Sequence, residues 1–240
     1  YGAIGLLLAA GFALVSKAVE LAPSKHPAVQ AQVKRRLGLH QSRGVVLRLS
    51  GLFALDAFGG GFVIQSIIAY WLHLKFGLEP AALGGIFLGA NLLAGVSALA
   101  AGWLAARIGL VNTMVFTHLP SNLLLMLVPL MPTAGLAVAV LLLRFSISQM
   151  DVPTRQSYTM AVVAPDERSA ASGVTAVARS IGASISPMLA TTLVGTAALA
   201  SLPFLLAGGI KVVYDLLLYR SFVAVRPPER AAVCRLGMSP

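Results

Sequence analysis

The stretch PAALGGIFLGANLLAGVSALAAGWLAARIG, residues 80–109, carries no charged side chain from Pro80 to Ala106. A helix rises about 1.5 Å per residue, so this run outreaches a hydrocarbon core of about 30 Å. Its apolar residues form a continuous run rather than a helical stripe, as expected of a segment solvated by lipid and other helices. A strand reading fails, because an open sheet edge leaves backbone groups unpaired in hydrocarbon. The alternating ten-residue segments of a membrane barrel are absent as well.

The pattern recurs along the chain. The 240 residues are 58% hydrophobic and 11% charged, with a mean hydropathy of +0.85, whereas a soluble domain carries about 25% charged residues. Apolar runs cover 1–16, 48–72, 80–105, 112–131, 134–161, 169–197 and 201–222. Short joints such as HLKFGLEP (73–80) and APDER (164–168) separate them. The fold class expected is all-α, a polytopic membrane protein with seven transmembrane helices. Residues 1–16 form a first helix, 17–47 a basic loop, 48–222 a six-helix bundle and 223–240 a tail.

Charge sets the orientation. Lys17, Lys25, Lys34, Arg35, Arg36, Arg43 and Arg48 crowd the joint between the first two runs. Arg107, Arg168, Arg220, Arg226, Arg230 and Arg235 fall on the same side, and the opposite loops hold Lys75 alone. By the positive-inside rule the 17–47 loop and the C-terminus are cytoplasmic, in a cell (inner) membrane. Anionic lipid then accounts for the net charge of +10, with no nucleic-acid partner. The single cysteine, Cys234, excludes an internal disulfide. YGAIGLLLAAGFALVS (1–16) has its positive charge after the apolar run, the reverse of a signal peptide. A first span already under way at Tyr1 leads to the expectation that helices precede it, and that this chain alone does not transport.

GxSxG, HExxH, CxxC and the Walker fingerprint are all absent, so neither an enzyme, a cofactor site nor an ATP-driven pump is expected. The chemistry lies instead in charges inside the spans. In LLLRFSISQMDVPTRQSYTM (141–160), Arg144, Ser148, Asp151 and Arg155 share one helical stripe, spaced four, three and four apart. Arg144 lies about 15 Å deep and Asp151 about 25 Å; Arg155 lies about 32 Å in, near the cytoplasmic headgroups. The expectation for Arg155 is an i,i+4 pair with Asp151, its head snorkelling to phosphates. Arg144 is different, since a mid-membrane arginine costs about 2.5 kcal/mol or more and must meet a protein partner or a water-filled cavity. Pro153 frees the carbonyl of Gln149 and predicts a kink there.

The partners expected are Asp56, in GLFALDAFGGGFVIQS (51–66), and Arg179, in GVTAVARSIGASISP (173–187). An Asp56–Arg144 or Asp56–Arg179 pair neutralises most of the buried charge and leaves one cation for an anionic substrate or an acid from elsewhere. Lys211 and Asp215, four apart, are expected to pair within their own helix. Asp56 is the candidate for proton coupling, against the alternative of a permanent buried ion pair. Gly59, Gly60 and Gly61 predict an unwound or closely packed stretch, and Gly59–Gly61 with Pro153 a pair of hinges. Gln65 can hydrogen-bond substrate or a neighbouring helix, and Tyr70 and Trp71 read as an interfacial belt. Ala90, Ala94, Ala98 and Gly102, with the GxxxG of Gly85–Gly89, predict a close helix contact. His118, Ser121 and Asn122 read as packing polars on a peripheral helix.

GWLAARIG (102–109) resembles the cytoplasmic-loop motif of the major facilitator superfamily: Gly, three residues, Asp-Arg, one residue, Gly, then basic residues. Gly102, Arg107 and Gly109 match, while Ala106 stands where the Asp belongs and Leu110 and Val111 where basic residues belong. The topology, one helix, a long basic loop and six helices, is similar to that family's second half from the end of its sixth helix. The resemblance implies a half-bundle of two inverted three-helix repeats, 48–131 and 134–222, whose first helices face a central cavity. It further implies a secondary transporter of a small organic solute. The expected form is proton-coupled efflux of amphipathic, drug-like compounds, or transport of an anion bound by Arg144 and Arg179. A membrane assembly or lipid-handling protein is the alternative of another class. Partners are then the solute, protons, membrane lipid and the preceding half of the same chain.

Overall fold

The computed structural model describes residue 11 and residues 38–222. Contacts divide the chain into Tyr1–Gly38 and Leu39–Pro240, and residues 39–222 of the second unit carry the helix bundle. The expected run 1–16, most of the 17–47 loop and the 223–240 tail lie outside the described residues. Within them there is no strand, and six helical spans are long and apolar enough to cross a membrane.

Eight α-helices make up these spans. The first span, Arg43–Phe76, consists of α1 (Arg43–Gly61) and α2 (Gln65–Phe76). α3 (Pro80–Ile108) is the second. α4 (Leu110–Leu127), extended by a 3-10 turn to Leu130, is the third. The fourth joins α5 (Ala134–Ser148) to α6 (Asp151–Val162). α7 (Arg168–Val194) and α8 (Leu202–Phe222) are the cores of the fifth and sixth. Gly109 bridges α3 and α4 at a φ of 87°, left-handed backbone that a β-carbon disfavours.

Packing respects the two triplets. α1 of the first triplet lies chiefly against α7 of the second, and α5 against α3; the third members, α4 and α8, lie together. Exchanging the triplets maps this pattern onto itself, as inverted repeats require. The broken helices are the first of each triplet. α1 ends at the glycine run with Phe62 N–H donating to the Gly59 carbonyl at 3.3 Å and Val63 N–H to that of Gly60 at 3.1 Å. The fourth span breaks at Gln149–Met150, and Gln149 owns the carbonyl that Pro153 cannot engage.

Close approach occurs at α1–α7. A β-carbon on Gly182 would sit 2.2 Å from the Ala54 carbonyl oxygen, and one on Gly61 2.1 Å from Ser186 Oγ. The small-residue contact expected on α3 forms only in part: Ala90 is fully buried and a β-carbon on Gly89 would meet Leu142 at 3.9 Å, whereas nothing lies within 4 Å of one at Gly85 or Gly102. The expected belt splits. Tyr70 is half exposed, but Trp71 is buried against Phe204, ring centroids 4.7 Å apart.

The end of the bundle that starts α1 is held by one buried acid. Glu167 Oε1 accepts backbone N–H groups of His40 and, at 2.7 Å, Gln41; Oε2 accepts that of Ser42 at 2.8 Å. In return Ser42 Oγ accepts the Ala164 N–H at 3.1 Å, and the His40 ring lies 2.8 Å from Asp166. An anion at the mouth of a helix satisfies donors the helix itself cannot. Glu167→Ala is expected to cost about 1–3 kcal/mol, the penalty of orphaned buried donors. Amide hydrogen exchange at residues 40–42 should accelerate correspondingly; unchanged exchange there would show that the clasp is idle.

Candidate charge cluster at the centre of the bundle

Asp56 occupies the buried face of α1, three residues before the glycine run. Three helices deliver cations to it. Lys211 Nζ of α8 donates to Oδ1 at 2.5 Å, and Arg155 Nη1 of α6 and Arg179 Nη1 of α7 donate to Oδ2 at 2.9 and 3.2 Å. Gly59 and Gly60 make room for this, since the Lys211 side chain runs within 3.2 and 3.6 Å of where their β-carbons would be. Arg155 also keeps its i,i+4 partner, with Asp151 Oδ2 at 3.2 Å. Phe53, one turn before Asp56, lies under the Arg155 guanidinium at 5.4 Å.

A second acid adjoins the first. Asp215 of α8 is fully buried, with His118 Nδ1 2.8 Å from Oδ1 and the Asn122 amide donating to Oδ2 at 2.9 Å. The other ring nitrogen of His118 faces Asp56 Oδ1 at 3.8 Å. With His118 neutral, three acids (Asp56, Asp151, Asp215) balance three cations (Arg155, Arg179, Lys211). This is how formal charge persists in low dielectric: Asp56 is hydrogen-bonded to all three cations, Asp151 pairs with Arg155, and Asp215 is held by the neutral His118 and Asn122.

The arrangement corrects several expectations. Arg155 does not reach for headgroups; its side chain is 7% exposed and turns inward, because an unneutralised Asp56 costs more than a lipid phosphate contact returns. Lys211 and Asp215 do not serve each other but two different acid–base partnerships on facing helices. Of the two pairs considered for Asp56, Arg179 makes one, and Arg144 forms no ion pair among the described residues. His118 and Asn122 belong to the cluster rather than to peripheral packing. Their i,i+4 spacing matched that of Lys211 and Asp215, and this parallel spacing was the available signal.

Arg144 stands apart. Its guanidinium lies 5.2 Å from the Phe145 ring, and its Nε is buried with no hydrogen-bond partner among the described residues. Gln65, first residue of α2, is exposed. Of the loop-motif residues, Gly109 has its structural reason in φ, Arg107 stacks on Trp103 at 4.0 Å, and Gly102 borders open space.

Six helical spans suited to crossing a membrane, the first and fourth of them broken and a charge cluster buried among them, define a polytopic all-helical membrane protein. The profile of the Major Facilitator Superfamily matches residues 1–187, and the chain belongs to that family. It is also similar to a Saccharomyces cerevisiae protein described as uncharacterized membrane protein YJR124C, 23% identical over 207 residues, 86% of this chain. The chain spans 46% of that relative's length. No solved structure matches.

Proposed function

We propose that the protein is part of a secondary active transporter that moves a small organic solute by alternating access, with the α1 end and the C-terminus cytoplasmic. The observation that carries this reading is Asp56, shared by cations from α6, α7 and α8 beside the breaks in both leading helices. A carboxylate common to several elements holds them together while occupied and releases them when its charge is met elsewhere, which makes the packing two-state. The breaks at Phe62–Ile64 and Gln149–Met150 supply the bending points, and Gln65 follows the first of them.

Arg144 favours a solute with an anionic group. Arg144 feels Asp151 and Asp56 electrostatically but makes no ion pair among the described residues, and its buried Nε has no hydrogen-bond partner there, so its guanidinium is a contact for an anion. Proton-coupled export of neutral or cationic amphipathic compounds is the second reading, favoured by the exposed aliphatic side chains of α7, including Val177, Ile181, Ile185 and Met188. Flux in membrane vesicles that carry the whole transporter of which this chain is part separates them, using carboxyfluorescein as the anionic dye and ethidium as the cationic one, with and without an imposed pH gradient. Arg144→Gln should cut anion flux about tenfold or more, ~1.4 kcal/mol, while Arg144→Lys keeps part of it and ethidium is unaffected. Anion flux indifferent to both substitutions sinks the first reading; dye flux indifferent to the gradient sinks proton coupling.

A further inference from the structure

α2 closes with WLHLKF (71–76), at the end of the bundle opposite the start of α1. Lys75 in its last turn is the lone cation of the loops on that side, against the usual bias of basic residues. Dipoles and ring faces hold its ammonium. Nζ donates to the Pro129 carbonyl at 2.6 Å and, more weakly, to that of Met131 at 3.4 Å. It stands 4.9 Å from the Trp71 ring centre and 5.2 Å from that of Phe76. All four partners are neutral, and Lys75 forms no ion pair among the described residues. Its charge is steadied but not cancelled, and the third of its N–H donors has no acceptor there.

A cavity of about 390 Å³ lies between the end of α2, the end of α7 and the turn that leads into α8. Trp71, Leu74 and Lys75 line it from α2, Val194 from α7, and Ala200 and Ser201 from the turn. The volume falls among those of small-molecule sites, about 300–1,000 Å³. Most of the wall is apolar, and Lys75 is its one charged residue. Trp71 is 1% exposed and packed against Phe204, so that wall is fixed in place. Leu74 and Lys75 are exposed and form the rim.

We propose that this cavity binds an anionic amphiphile, an aliphatic chain ending in a carboxylate or phosphate, with the anionic head on Lys75 and the adjoining carbons against Trp71, Leu74 and Val194. The lining selects that chemistry. A small polar anion would leave the apolar wall uncovered, and a neutral chain would leave the ammonium without a counter-charge. A ligand with both parts answers both, and Lys75 repels a cationic amphiphile. A membrane lipid and a free fatty acid present the same chemistry. The site shares no residue with the charge cluster, so it stands whether or not the transport reading does.

The test is photolabelling of the whole transporter of which this chain is part, in phosphatidylcholine nanodiscs at alkaline pH, where a fatty acid is ionised. The probes are a diazirine-bearing hexadecanoate and the hexadecanol with its diazirine at the same carbon, and mass spectrometry maps the labelled peptides. The expected result is saturable labelling of the peptides holding residues 71–75 and 194–201 by the acid. It should be about tenfold tighter than labelling by the alcohol, the effect of one hydrogen bond to a charged group. Lys75→Gln should abolish that difference and Lys75→Arg keep most of it. Competition then names the source. Loss of label to phosphatidylglycerol in the nanodisc supports a lipid headgroup, and loss to unlabelled hexadecanoate alone supports a free acid. Equal labelling by acid and alcohol in the wild type overturns the proposal and needs no variant to fold. Acid labelling that survives Lys75→Gln undiminished overturns it as well.

Discussion

Asp56→Asn is expected to lower the thermal midpoint of the purified protein by about 6–20 °C. Stranding buried charge costs about 3–5 kcal/mol when one partner of a buried pair is removed. For a chain of this size each kcal/mol corresponds to about 2–4 °C. Asparagine keeps the shape and one acceptor, so the loss isolates charge. It leaves Lys211, Arg155 and Arg179 facing a neutral amide, with Asp151 still engaged with Arg155. The reciprocal change should be milder. Lys211→Met removes one of three cations and leaves Asp56 with both arginines. Combining the two should recover part of the midpoint lost in Asp56→Asn alone, because neutralising an acid with its closest base restores the count. Thermal unfolding followed by size-exclusion chromatography reads all three. An Asp56→Asn protein within a degree or two of wild type would mean that the cluster is solvated rather than desolvated.

The second large effect concerns shape. Gly182→Ala places a methyl group 2.2 Å from the Ala54 carbonyl oxygen, and this neighbour is backbone, which cannot rotate away. α1 and α7 must separate by about 1 Å to restore ordinary contact, and overpacking of this kind costs about 1–3 kcal/mol or more. The damage reaches the charges, since Asp56 and Arg179 flank this crossing and their bond is already 3.2 Å long. Gly173→Ala is the control on the same helix. Its β-carbon meets nothing within 4 Å, so the substitution should be neutral or stabilising by up to about 1 kcal/mol through helix propensity. Opposite signs at two glycines of one helix separate close approach from backbone flexibility. Equal effects would rule out the tight crossing as the cause.

How far the charges could be read in advance differs from residue to residue. Arg144, Asp56 and Arg179 stand out in the sequence because a charge in an apolar run is costly wherever it points. Their partners did not. Periodicity along one helix shows which residues share a face, so Asp151–Arg155 and Lys211–Asp215 suggested pairs within a helix. The first such pair exists but is secondary to Asp56, and the second does not form. His118 looked peripheral because the depth of a residue in its span says little about which neighbour its face meets.

The length and apolarity of the runs by themselves determined that the chain crosses a membrane, and Gly59–Gly61 and Pro153 placed an irregularity in each leading helix, the first of which falls just beyond the glycines at Phe62–Ile64. These follow from local physics, the hydrophobic thickness of the bilayer and the backbone chemistry of glycine and proline. Only tertiary structure decided which ions meet. The rotation and approach of five helices are set jointly by contacts such as Gly182 on Ala54, and a carboxylate in low dielectric takes whichever cations that packing brings within reach.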